Sequence, residues 1–251
     1  MSPRSAALLG VGSPRNSMRR EPVDLLEGRS LSESGRFPSG WTVRGVTELL
    51  EPLAGDERVR TIAERVKARI GSVTLLMDAP YDPHNAAAAL RSCDAFGVPE
   101  LHVVPRGDGF VLGRKVTRGT ERWVDVITHP TAEAAATALR RRGYELVATH
   151  PEGELVPEDL RAIPRVCLVM GNEHDGIRAA LVRETTRSVR IPMRGFVESL
   201  NVSVAAALLL SAATAGRDGD LSPDERALLY ATGLLRSVPR AGEILAASKP
   251  R

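Results

Sequence analysis

From Ser72 onward, short runs of Val, Ile and Leu without polar alternation take turns with alanine-rich segments of helical period. The runs Val73–Met77, Leu101–Val104, Trp123–Ile127, Leu146–Thr149, Val166–Met170 and Val189–Pro192 read as strands that are apolar on both faces. Between them, Asn85–Phe96, Ala132–Arg142, Ile177–Glu184 and Ser203–Ala215 read as helices, rich in the strongest helix former. Two-sided apolar strands separated by helices imply an α/β fold, a parallel doubly wound sheet covered on both faces. Upstream, Val46, Leu49, Leu50 and Leu53 recur at helical spacing, and so do Val59, Ile62, Ala63, Val66 and Ile70. Arg58, Arg60, Arg65, Lys67 and Arg69 decorate the second of these segments. They read either as a solvated face or as part of a basic helical hairpin resting on a phosphate backbone. After Gly216 the chain turns polar and restarts at Ser222-Pro223-Asp224-Glu225, a capping box with proline at the first helical position. The helix it opens is predicted to reach about Arg236, with Pro239 and Lys249–Arg251 fraying beyond it.

Composition narrows the function classes. Aromatic residues are only 4% of the 251, which argues against a sheet that stacks the bases of single strands. A net charge of +3 admits an anionic partner without demanding one. Cys93 and Cys167 lack CxxC spacing and sit in apolar surroundings, as buried thiols of a reducing compartment do. The histidines have no metal-ligand spacing, so no metal is expected. No apolar run approaches a membrane span, and the short Ala6–Val11 patch is broken by glycine, so a cytoplasmic protein without membrane association is expected. Residues 1–40, rich in Ser, Pro, Gly and Arg, read as a flexible basic arm. One stretch breaks the strand–helix rhythm: Arg106–Arg122 is glycine-rich and strongly basic, with Arg114, Lys115, Arg118 and Arg122 as candidate contacts to an anionic polymer.

Three polar loops carry the candidate chemistry. The first is Asp82-Pro83-His84-Asn85, followed by the helix that carries Arg91. Asn85 could cap that helix, and Arg91, about 240° further round, lies on another face among small neighbours. The second is Gly171-Asn172-Glu173-His174-Asp175-Gly176, after the strand ending at Met170. It lacks the lysine and Ser/Thr of a nucleotide-hydrolase loop, and no GxGxxG follows any strand, which disfavours a nicotinamide oxidoreductase. The third runs from Arg190 to Leu210, passes Gly195, Glu198, Ser199 and Asn201, and enters a small-residue helix that Ser199 or Asn201 could cap. Polar loops at the carboxyl ends of parallel strands are where open α/β sheets bind ligands.

With these three motifs in order, Val73 to Ala215 resembles the SpoU class of the knotted SPOUT RNA 2′-O-methyltransferases. PHN at Pro83–Asn85, Arg91, KVTRGTERWV at Lys115–Val124 and IPM…SLNVSVAAA at Ile191–Ala207 look most like the tRNA (guanosine-18) ribose methyltransferases of TrmH type. The resemblance implies a C-terminal deep trefoil knot, a homodimer and S-adenosyl-L-methionine as methyl donor, with no metal. It implies cofactor contacts at Thr149, Met170, Gly171, Asn172, Ile191 and Leu200. It also implies a catalytic set of Arg91, Asn85, Glu173, Ser199 and Asn201, with Asn85 and Asn201 orienting Arg91 and the ribose. The implied organisation is an arm (1–40), an RNA-contacting helical extension (41–70), the SPOUT domain (71–216) and a C-terminal helical extension (217–251). Methylation of ribosomal RNA, or RNA binding without catalysis, are the alternatives. The ribosomal-RNA enzymes' appended N-terminal domain needs more ordered sequence than residues 1–70 offer, and the intact polar positions argue against a non-catalytic protein.

Overall fold

The computed structural model describes residues 37–38, 40–107, 123–172 and 174–249. The sheet has six parallel strands: β1 (Val73–Asp78), β2 (Glu100–Val104), β3 (Asp125–Thr128), β4 (Glu145–Thr149), β5 (Val166–Met170) and β6 (Arg187–Val189), in spatial order β3-β2-β1-β5-β4-β6. Every residue of β1, β2 and β5 is buried. Their side chains alternate between two cores. Val73, Leu75, Met77, Leu168 and Met170 face helices α3 (Pro83–Ala95) and α6 (Val202–Thr214), whereas Leu76, Cys167 and Val169 face α4 (Ala132–Arg141) and the short α5 (Ala179–Val182). Continuous apolar strands therefore mean what the sequence implied: a sheet covered on both sides. Alanine makes this close cover feasible, since α3 and α6 lie against each other through Ala86, Ala89, Leu90, Ala206 and Leu210.

The strand order reverses between β1 and β5. Successive strands run outward from β1 through β2 to β3, and the chain then returns to build β4, β5 and β6 on the other side. The crevice at such a switch point, outside the carboxyl ends of the strands, is where this architecture places a ligand.

The flanking helices form a third core. Helix α1 (Val43–Leu50) and α2 (Asp56–Lys67) pack on α7 (Pro223–Ser237) through Val46, Leu50, Ile62, Ala231 and Leu234. The capping box at Ser222 is formed: Ser222 N donates to Glu225 Oε2 at 2.8 Å and Glu225 N to Ser222 Oγ at 3.2 Å. Beyond it the chain does not fray at Pro239, which lies in an ordered turn, while Pro250 and Arg251 of the expected frayed end lie outside the described residues. Helix α8 (Ala241–Ala247) follows, held because Ala241 and Leu245 complete the core around Trp41 and Val46. The polar stretch after Gly216 is equally committed. Arg217 donates to the carbonyls of Leu160, Ile163, Pro164 and Ala213, and Asp220 accepts from Gly71 N and Ser72 N.

Two element boundaries and one side chain depart notably from the sequence expectation. Strand β6 ends at Val189 and not Pro192, because its pairing with β4 stops where β4 ends. The helix expected over Ile177–Glu184 keeps only Ala179–Val182. Arg69, counted among the solvent-facing cations of the second helix, is instead buried and paired with Asp94 Oδ1 at 2.5 Å.

Candidate active site

The first motif begins where β1 ends. Ala79 adopts a left-handed φ of 48° and donates to the Val104 carbonyl at 2.7 Å, which turns the chain out of the sheet. Asp82 then caps α3, its carboxylate accepting from His84 N at 2.8 Å, with Pro83 at the first helical position. Asn85 is therefore not the cap. Its side-chain oxygen instead accepts from Asn201 Nδ2 at 3.1 Å, a contact across 116 residues. Asn201 caps α6 with its own oxygen, which accepts from Ser203 N at 2.8 Å and from Ser203 Oγ at 2.6 Å. One side chain thus serves both roles, the cap through oxygen and the link to Asn85 through nitrogen. Arg91 lies further along α3 and is exposed, with no hydrogen bond or ion pair to a described residue. Its guanidinium is uncommitted.

The second motif forms a closed loop after β5. Asn172 N donates to the Gly176 carbonyl at 3.0 Å and Gly176 N to the Asn172 carbonyl at 3.2 Å. The Asn172 side chain fills the ring, accepting from His174 N at 2.9 Å and Asp175 N at 2.8 Å and donating to Gly176 O at 3.3 Å. Gly171 admits no side chain: a Cβ there would stand 2.2 Å from the Gly176 carbonyl carbon and 2.5 Å from Ile177 N. Asn172 was expected as a cofactor contact, and its amide is spent building the loop. Sequence reasoning missed what holds the loop in place. Arg178 donates to Asp78 from its backbone N at 2.7 Å, from Nε at 2.8 Å and from Nη2 at 2.5 Å. Asp78 is fully buried, so this pairing supplies the partners a buried carboxylate requires. The available signal was a lone acid closing the apolar run Val73–Met77.

The third motif leaves β6 as extended chain. Arg190 N donates to Leu155 O at 2.9 Å and Arg190 Nη1 to Gly153 O at 2.7 Å, so the loop after β4 lies against the exit of β6. Thr149 ends β4 opposite Val189 and donates through Oγ1 to Val169 O at 3.1 Å. Strands β5, β4 and β6 are neighbours, so Met170, Gly171, Thr149 and Ile191 come to one edge of the sheet. Ile191 packs on the main core, and Leu200 is half-buried at the far end of the loop. Ser199 is exposed, and so are Met193, Phe196 and Val197. Glu173, Arg114, Lys115, Arg118 and Arg122 lie outside the described residues, as does nearly all of the 1–40 arm.

Around the mouth, Arg106 pairs with Asp175 and lies 5.7 Å from the Tyr81 ring centroid, and Tyr81 meets His174 edge to face at 4.8 Å. These residues follow β1, β2 and β5, and the sequence reading gave Tyr81, His174 and Asp175 no role. The thiols take no part in the chemistry. Burial pushes Cys93 up to about 12 and raises Cys167 further, which leaves no thiolate at neutral pH. The three motifs supply a backbone ring closed by glycine, an amide pair and, further along α3, a guanidinium with no partner among the described residues. That set can hold an adenosine-like ligand and steady a developing oxyanion.

Two relatives extend this picture. The tRNA (guanosine(18)-2′-O)-methyltransferase of Escherichia coli K12 is 36% identical over 61% of this chain and 67% of its own length. The 23S rRNA (guanosine-2′-O-)-methyltransferase RlmB of Xanthomonas axonopodis pv. citri is 33% identical over 87% of this chain and 100% of its own length. Among solved structures, the A. aeolicus TrmH/SpoU tRNA modifying enzyme matches with a TM-score of 0.65 at 26% identity, over 73% of this chain and 98% of that one. The SpoU methyltransferase AviRb from Streptomyces viridochromogenes, in complex with the cofactor AdoMet, matches with a TM-score of 0.52 at 28% identity, over 60% and 62%. The family model described as the SpoU rRNA Methylase family matches residues 72–211, more than half of the sequence and all three motif loops, and the chain belongs to that family.

Proposed function

We propose that this protein methylates the 2′-hydroxyl of a ribose in tRNA, at guanosine 18 of the D-loop, in the cytoplasm. The observation that carries the reading is the Asn201–Asn85 hydrogen bond, which joins the first and third motifs across 116 residues of sequence. S-adenosyl-L-methionine, when bound, supplies an electrophilic methyl group. The fit is supported by Gly171, whose lack of a side chain lets the Gly176–Ile177 backbone close tightly after β5, and by Thr149 and Ile191 at the neighbouring strand ends; Leu200 joins this lining in the proposed complex. The chain's own part is to hold the ribose hydroxyl. A guanidinium is a poor base, so the role of Arg91 is to stabilise the alkoxide that develops as the hydroxyl passes its proton to water, and to grip the adjacent phosphate. Asn85 and Asn201 orient the ribose, Glu173 and Ser199 complete the polar set, and no metal takes part.

The finer architecture belongs to the same reading. The C-terminal part is threaded as a trefoil knot, supported by the close passage of the Gly153 loop against Ser188–Arg190. The protein works as a homodimer, supported by an apolar face of Met193, Phe196, Val197, Val204 and Leu208 left exposed beside the site. Residues 71–216 form the SPOUT domain, 41–70 and 217–251 are helical extensions that contact tRNA, and 1–40 is a basic arm joined by Arg114, Lys115, Arg118 and Arg122 in binding RNA.

A second reading, methylation of ribosomal RNA, is favoured by the full-length match to the RlmB sequence. The tRNA reading is preferred because the extensions are helices docked on each other, and the tRNA modifying enzyme of A. aeolicus aligns over nearly its whole length. The test is kinetic competition between unmodified tRNA and 23S rRNA transcripts, with Arg91→Ala as control. A preference for tRNA of at least a hundredfold in kcat/KM, abolished in Arg91→Ala, supports the reading; a preference for the ribosomal transcript overturns it.

A further inference from the structure

Away from the strand ends, a cavity of about 600 Å³ opens between α2, α7 and the sheet domain. That volume lies within the range of sites that enclose a small molecule. Its floor is apolar and aromatic, where Ile62 and Leu229 of the flanking helices meet Ile70, Phe96 and Trp123. Its rim is cationic, with Arg58, Arg65, Arg69 and Arg236. Two of these are committed: Arg69 to Asp94 and to the Trp123 carbonyl at 3.3 Å, Arg236 to Asp125 at 3.7 Å. Arg58 and Arg65 are exposed and have no carboxylate partner among the described residues. Asp94 is the only acid among the described lining residues, and Arg69 already neutralises it.

The pattern on α2 is informative. Arg58, Thr61 and Arg65 stand at i, i+3 and i+7, one polar stripe along the helix face that looks into the cavity beside Ile62 and Val66. A merely solvated face has no reason to border an aromatic-floored cavity. An aromatic floor under uncompensated guanidinium groups suits a ligand with a flat π body and a phosphate. Arg60 and Lys67 carry the basic flank of α2 on outside the cavity, where a polymer would continue and a free mononucleotide would not.

We propose that this cavity takes one nucleotide of the RNA, its base against Trp123 and Phe96 and its phosphate on Arg58 and Arg65. The proposal rests on the reading of RNA as substrate and adds a second contact, remote from the methyl-transfer loops. Guanosine 5′-monophosphate is the probe, titrated into the full-length protein with tryptophan fluorescence as the signal. Trp41 is buried in the core of the flanking helices, so a saturable change reports Trp123, and Trp123→Phe removes it. In Arg58→Ala/Arg65→Ala, which alters exposed side chains only, the titration midpoint rises at least tenfold. KM for tRNA rises about tenfold too, while kcat and S-adenosyl-L-methionine affinity stay within twofold. An unmoved KM overturns the proposal even if the nucleotide titration shifts, because the cavity then takes a free nucleotide and not the RNA. No methyl transfer by the unaltered protein to any RNA would instead sink the substrate reading. Normal transfer with no nucleotide response and an unmoved KM sinks only the cavity.

Discussion

Replacing Gly171 by alanine tests the cradle at its tightest point. The added methyl would stand 2.2 Å from the Gly176 carbonyl carbon, 2.5 Å from Ile177 N and 2.6 Å from Gly176 O. Carbon contacts are comfortable only from about 3.5 Å, so the loop must retreat by roughly an ångström. All three obstructing atoms are backbone, and no rotamer change relieves them. The retreat breaks the ring that closes the loop, in which Gly176 O accepts at 3.0 and 3.3 Å and Gly176 N donates at 3.2 Å. Three hydrogen bonds at about 1 kcal/mol each come to about 3 kcal/mol. Expressed in ligand binding, that loss weakens S-adenosyl-L-methionine roughly a hundredfold. Titration calorimetry with S-adenosyl-L-methionine reads the affinity, and urea unfolding shows whether the loss appears in stability instead. Gly195→Ala is the control, because a Cβ there meets nothing within 4 Å. If Gly171→Ala binds the cofactor within threefold of the parent at unchanged stability, the loop is not the cradle described here.

Three further outcomes follow from single contacts. Burial, then the charges of His102 and Arg142, push His129 down to about 4, whereas the unfolded imidazole titrates near 6.5. Its folded pKa is depressed, so stability is full above about pH 6.5 and falls as pH drops toward 4, by up to about 3 kcal/mol. Glu100 adds to the loss in more acid solution: burial opposes its charge, but His102 and Arg142 hold it at about 2, so its share disappears as pH falls from 4.5 toward 2. Urea midpoints at pH 7.5 and 4.5 measure the first slope, and an identical slope in His129→Gln would refute the assignment. Asn201→Ala loses the α6 cap and the link to Asn85, and should cost about 1–2 kcal/mol, more than Asn85→Ala, which keeps the cap. A double-mutant cycle by chemical denaturation that finds no coupling would remove the link from the account. Leu208→Asp, on the exposed face of α6, should convert a dimer to a folded monomer by sedimentation; a dimer that survives places the interface elsewhere.

Much of this was legible in the sequence because the signals are local. Strands without polar alternation gave away a sheet buried on both sides, and the three loops follow β1, β5 and β6 as their order along the chain implied. What escaped depends on contacts distant in sequence. Val189, Ile191 and Met193 alternate like a strand, but the partner strand β4 ends at Thr149 and the chain runs on unpaired. Asn85 looked like a cap until Asp82, three residues earlier, took that role. Arg69 and Arg217 look solvated in their own segments, yet one meets Asp94 and the other a cluster of carbonyls around Leu160–Pro164. The pairing of buried Asp78 with the half-exposed Arg178 joins residues 100 apart, and no periodicity could announce it. The cavity between α2, α7 and the sheet exists only once the flanking helices dock.

Methyl transfer to one ribose of tRNA is open to direct measurement. The most direct measurement incubates the protein with labelled S-adenosyl-L-methionine and a mixture of bulk tRNA and ribosomal RNA, then maps ribose methylation by resistance to alkaline hydrolysis. Label is expected in tRNA at guanosine 18, lost in Arg91→Ala with cofactor affinity retained. Label confined to ribosomal RNA, or label that persists in Arg91→Ala, would contradict that expectation.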